Sequence, residues 1–139
     1  MVQEIHHLHD QGYIVISTFQ YYETYDPKPF NAQIHDFRLM AGAGADIVQG
    51  SQAHYPQMME FYQGAFIHYG LGNLFFDQMG NSPWYPTRRE FLDRHVFYDG
   101  RYISTELLTA LLEDYSRPRP MTQQERTDFL TEYFSISGW

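Results

Sequence analysis

Four polar residues near two predicted strand ends have types and spacing that suit chemistry. In "GSQAH" (residues 50–54), Gly50 and Ser51 let backbone come close to a ligand, and Gln52 and His54 stand two apart. At that spacing both side chains can project from one side of an extended loop, which suits metal coordination or phosphate contact. The competing use is structural, because a polar turn after a buried strand must satisfy its own backbone groups. In "FQYYE" (19–23), Gln20 and Glu23 can face the same cleft as His54, since strand ends define the crevice in open α/β sheets. The alternative there is an aromatic loop over the sheet edge with Glu23 solvated.

A third stretch, "IHYGLGNLFFD" (67–77), brackets Leu71 with Gly70 and Gly72 ahead of Asn73, a pattern that demands unusual backbone angles. Asn73 and Asp77 are candidates to hold the loops around the site. His68 alternates with apolar neighbours and reads as a hydrogen-bonded interior histidine. "AGAGAD" has neither the GK[ST] ending of a P-loop nor GxGxxG spacing, so nucleotide binding is not indicated. The "HHLH" near the start reads as a helix surface.

The elements that must position these residues follow from pattern. Val2, Ile5 and Leu8 fall at helical spacing before Gly12, which can end a helix. "YIVISTF" (13–19) is a β-branched and aromatic run expected to be buried on both faces of a sheet. A Pro-containing loop follows, then a helix capped by Asn31 with Ile34, Phe37 and Met40 or Ala41 on one face, ended by Gly42 or Gly44. "ADIVQG" is a second strand, so residues 13–49 form a βαβ unit. The pattern then turns antiparallel, with hairpins at Gln63-Gly64 and Asp99-Gly100. "ELLTALLEDY" extends the last strand or begins a helix. "PRP" (118–120) reads as a stiff connector, and "TQQE" (122–125) as a capping box before a stripe of Phe129, Leu130, Tyr133 and Phe134.

Composition narrows the function classes. The 139 residues suit one domain or part of one, and 18% aromatic content supplies large buried surfaces. A formal charge of −8 without a basic stripe argues against a nucleic-acid partner. With no cysteine, disulfides and thiolate chemistry are excluded, and any metal must sit on His, Asp, Glu, Asn or Gln. No apolar run reaches the length of about 18 residues that a membrane span needs.

In this order the segments resemble the CapA family, bacterial capsule (poly-γ-glutamate) synthesis proteins with the calcineurin-like metallophosphoesterase fold. The family pattern places a strand ending in His-Trp-Gly-x-Glu before a helix, "aGaDvviGhHpH", a hairpin and "ySLGNfvfdq". Here these are "TFQYYE", "FRLMAGAGADIVQGSQAH", "MEFYQGAFIHYGLGN" and "LFFDQM", the run from Gly44 to Asp77 being the specific part. The resemblance implies an α/β (α+β) fold: the C-terminal half of a metallophosphoesterase sandwich, one βαβ unit followed by antiparallel hairpins and a C-terminal helix. Residues 1–117 would form the partial domain, and 118–139 a connector and helix packed on it.

The resemblance also implies roles. Glu23, His54 and Asn73 match catalytic positions, Gln52, His54 and Gln20 fall at metal-side positions, and Gly50 and Ser51 at substrate-side ones. Gln52 stands where the family has histidine, and Phe19 or Gln20 where it has the histidine of His-Trp-Gly. Such oxygen donors favour Mn²⁺, Mg²⁺ or Ca²⁺ over Zn²⁺. The expected function is a metal-dependent hydrolase of a phosphoester or amide-linked polymer, present as a fragment. The alternative is a non-catalytic binding or scaffold member in capsule or exopolysaccharide assembly. The Gly-Asp and Asn-Asn-His segments of the family's N-terminal half are not in this sequence, so that half or a partner chain is an expected companion. Family members are often exported or anchored through an N-terminal segment.

Overall fold

Alternation of apolar side chains decides which segments of this chain become strands and how they are covered. The computed structural model describes residues 1–75 and 86–139. Its elements run α1 (Val2–Asp10), β1 (Ile16–Thr24), α2 (Asn31–Gly42), β2 (Ile47–Ala53), β3 (Met59–Tyr62), β4 (Ala65–His68), a 3₁₀ turn at Pro86–Arg88, β5 (Arg89–Tyr98), β6 (Arg101–Glu113), β7 (Arg117–Pro120) and α3 (Gln123–Ser137).

Strands β1, β2, β4 and β3 form one sheet in that order, with β1, β2 and β4 parallel and β3 antiparallel to β4. Strands β5, β6 and β7 form a second, antiparallel sheet. Because successive residues of a strand face opposite ways, β2 and β4 feed two cores. Val48 and Ile67 join Ile5, Phe37 and Met40 on the helix side, while Ile47 and Phe66 join Met59, Phe91, Phe129 and Tyr133 on the side of the second sheet and α3. Phe91 stacks on Phe129 with centroids 4.5 Å apart and meets Tyr133 edge-on. The α/β architecture, with one βαβ unit, later hairpins and a closing helix, is as the sequence implies and is consistent with part of a CapA or metallophosphoesterase-type fold.

Double coverage holds for β2 and β4 but not for β1. Val15 and Ser17 are buried against the helices, whereas Ile16 on the opposite face is 50% exposed. The physical reason is position: β1 lies at the sheet's edge, beyond the reach of the second sheet's core residues.

The hairpin turns adopt the left-handed backbone their dipeptides suit, with φ of 50° and 90° at Gln63-Gly64 and 49° and 70° at Asp99-Gly100. Helix α1 ends with Gly12 at φ 82°, and Tyr13 N–H reaches back to Leu8 O. Thr122 caps α3 reciprocally with Glu125. Two local expectations are revised, at Asn31 and at the PRP stretch, and one left open is settled. Asn31 is the first helical residue, with Phe30 at the cap position and no side-chain cap. "ELLTALLE" continues β6, where Leu107 to Leu111 pair with Asp93 to Arg89. Pro118 and Pro120 lie in β7, at a sheet edge where a missing N–H is tolerated.

Candidate functional site

The parallel ladder between β1 and β2 breaks where the candidate residues sit. Gln20 pairs with Ser51, but the next pair is Thr24 with Ala53, so β1 carries extra residues that bulge out of the sheet. Gln52, on the facing strand, has φ 81°, a left-handed conformation rare for a side chain other than glycine. This irregularity carries Glu23 across to His54, whose own backbone N–H donates to Thr24 O.

His54 is 6% exposed and directs one ring nitrogen each way. Asn73 Nδ2 donates to Thr87 O, which turns its Oδ1 toward His54 Nδ1 at 2.9 Å, so that the ring's Nδ1–H donates to the amide. The other nitrogen, Nε2, lies 3.0 Å from Glu23 Oε1, where imidazole and carboxylate share a proton-bearing axis. The Glu23 side chain is 64% exposed, so the relay has a closed end at Asn73 and an open end at Glu23. Tyr25 covers the imidazole face, stacked at 4.9 Å.

Buried glutamines steady the loops beneath. Gln33 Nε2 donates to Gln57 Oε1 and to Tyr69 O, both at 3.0 Å, while Gln57 Nε2 donates to Asp26 O. A Cβ would clash at both Gly70 and Gly72, and Gly72 alone also has a left-handed angle. Gly72 has φ 85°, while a Cβ at Gly70 would run into Ala53 and Gln57. Crowding, rather than an unusual angle, sets Gly70.

Glu23, His54 and Asn73 are therefore brought together. Gln20 and Gln52 are exposed, and among the described residues neither makes a side-chain hydrogen bond to His54. Ser51 is exposed and its Oγ donates to Phe19 O. At Gly50 the space freed by the missing Cβ is filled by the Tyr69 carbonyl and the Phe37 ring, so its close approach serves the core. Asp77 lies outside the described residues. His68 is an interior histidine as expected, with Nδ1 2.7 Å from Asp93 Oδ2. The "HHLH" histidines are exposed on α1.

A metal finds an incomplete donor set here. Among the described residues no three His, Asp or Glu side chains are grouped to hold an ion, and both His54 nitrogens are directed at Asn73 and Glu23. The residues present do not by themselves fit a metal centre. Sequence reasoning missed Tyr25, Thr87, Asp93 and Glu90. Tyr25 offered one signal, an aromatic two residues beyond Glu23; the others become relevant only once distant strands meet.

Fold and site define a mixed α/β protein whose polar centre is built at the C-terminal ends of parallel strands β1 and β2. The family model of the bacterial capsule synthesis protein PGA_cap matches residues 1–78, more than half of the chain, and the chain belongs to that family. It is 30% identical over 109 residues to the capsule biosynthesis protein CapA of Bacillus anthracis, and 40% identical over 65 residues to the PGA biosynthesis protein CapA of Bacillus subtilis. Those matches cover 78% and 47% of this chain but only 25% and 17% of the relatives.

Proposed function

We propose that this chain serves capsule or poly-γ-glutamate biosynthesis as a segment of a hydrolase acting on a phosphoester or amide-linked polymer. The observation that carries the reading is the Glu23–His54–Asn73 relay. In it Asn73 fixes the ring, His54 Nε2 holds the Glu23 carboxylate in place, and that exposed carboxylate takes the proton of the attacking water. A divalent ion, Mn²⁺, Mg²⁺ or Ca²⁺ by donor type, would draw most of its ligands from outside the described residues.

The edge of β1 supports the companion this reading requires. Its outward N–H and C=O groups and the exposed Ile16 suit a further strand, supplied by an N-terminal half or a partner chain. The incomplete donor set favours a second reading, a non-catalytic member that binds polymer in capsule or exopolysaccharide assembly.

The test is turnover of bis-p-nitrophenyl phosphate and of poly-γ-glutamate by the complete protein, with metal content measured alongside. Metal-stimulated turnover that falls about 10²-fold or more in His54→Ala is expected. A protein that holds no divalent metal and turns over equally well with alanine at His54 overturns the hydrolase reading. Polymer binding that persists with chelator would then establish the second one.

A further inference from the structure

Beside the His54 relay, and separate from it, a cavity of about 360 Å³ opens between the C-terminal end of β2 and strand β5. Gln49, Ser51, Gln52, Glu90 and Asp93 form its polar lining, and Leu71 and Phe91 are among its apolar walls. Glu90 is 1% exposed, and neither of its carboxyl oxygens has a hydrogen-bond partner among the described residues. Asp93 uses Oδ2 for His68 and Gln49 but leaves Oδ1 without a partner. A buried acceptor left without a donor is destabilising, more so when charged, so such a group marks a place where a ligand can donate.

The lining says what that donor is. Among the described residues no Lys, Arg or His lines the cavity, so an anionic ligand would meet two carboxylates and no cationic side chain. A divalent metal is a poor match, because no three acidic or imidazole groups among the described residues are grouped to hold one. The volume exceeds the roughly 30 Å³ share of a single water many times over, which leaves room for a carbon chain along the apolar walls. We propose that this cavity binds a primary ammonium group on a short aliphatic chain, with Glu90 as the principal acceptor and Ser51 and Gln52 at the rim. Burial pushes the Glu90 carboxyl up to about 8, and an ammonium group beside it would favour the charged carboxylate.

The inference does not rest on the hydrolase reading, and its test reads binding rather than turnover. The chain would be titrated with n-butylammonium chloride while amide NMR signals are followed. Tetramethylammonium, which has no N–H, and Mg²⁺ at equal ionic strength are the parallel arms. Saturable shifts at Gln49, Ser51, Gln52 and Gly72 with butylammonium alone are expected, weakened about tenfold or more in Glu90→Gln. No saturable shift, an equal response to tetramethylammonium, displacement by Mg²⁺, or undiminished affinity in Glu90→Gln would each overturn the proposal. Should Glu90→Gln lose the native spectrum, Gln52→Ala at the exposed rim replaces it, with weaker butylammonium binding expected and unchanged binding counting against the site.

Discussion

His54 and His68 are both shielded from solvent, and each is bonded through a ring nitrogen to a carboxylate, yet the two carboxylates live in different worlds. Glu23 is 64% exposed at its side chain, whereas Asp93 is fully buried between the two sheets. The His54 pair is open to solvent on its Glu23 side. The His68 pair is closed in among Phe66 and Phe91 and links the first sheet to the second. Burial of a histidine therefore does not separate chemistry from cohesion; the exposure of its partner does.

The sharpest way to break this contrast is to remove the closed partner. Asp93→Ala leaves His68 and Gln49 without their shared acceptor and should cost about 3–5 kcal/mol, read from urea unfolding of the chain. A loss below about 1 kcal/mol would mean that the interior pair does not hold the sheets together.

A smaller effect is expected from Glu90, and its sign follows from proton counting. Burial raises the folded carboxyl from 4.5 to about 8, so between those values the folded state holds more protons than the unfolded one. Stability from this group is complete below about 4.5 and is lost as pH rises through about 8. Glu90→Gln should flatten that decline by roughly 2–4 kcal/mol across the window, measured as unfolding free energy against pH. An unchanged slope would place the decline elsewhere.

The least effect on stability belongs to the open partner. Glu23→Gln should change unfolding free energy by less than about 1 kcal/mol, since an exposed pair is screened by solvent. The same change should lower turnover of the complete protein about 10²-fold. Equal damage to stability from Glu23 and Asp93 would erase the distinction between the two histidines.

Local rules were legible in the sequence and distant pairings were not. Gln63-Gly64 and Asp99-Gly100 announced their turns because left-handed backbone restricts residue choice, and Thr122 with Glu125 announced a helix start because the cap closes within one turn. The residues of "ELLTALLE" suit either period, and pairing with β5 decided the matter. Ile16 looked like core because its β-branched run does, but coverage depends on what lies across the sheet. In the site, Glu23, His54 and Asn73 were found by type and motif. Glu90 and Asp93 were hidden because their meaning comes from Gly72, Gln49 and His68, far away in sequence.

The mixture of strand pairings has a kinetic consequence. Strands β5 and β6 meet across a two-residue turn and form ten paired positions from near neighbours, a search completed on the microsecond scale of hairpins. The β1–β2 ladder must instead close over the whole of α2 before its first parallel pair is made, and pairings of that kind pay loop entropy in advance. The bulge bearing Glu23 and the turn bearing His54 both hang on that ladder. Topology therefore sets the pairing of Glu23 with His54 on the ladder expected to close after the β5–β6 hairpin.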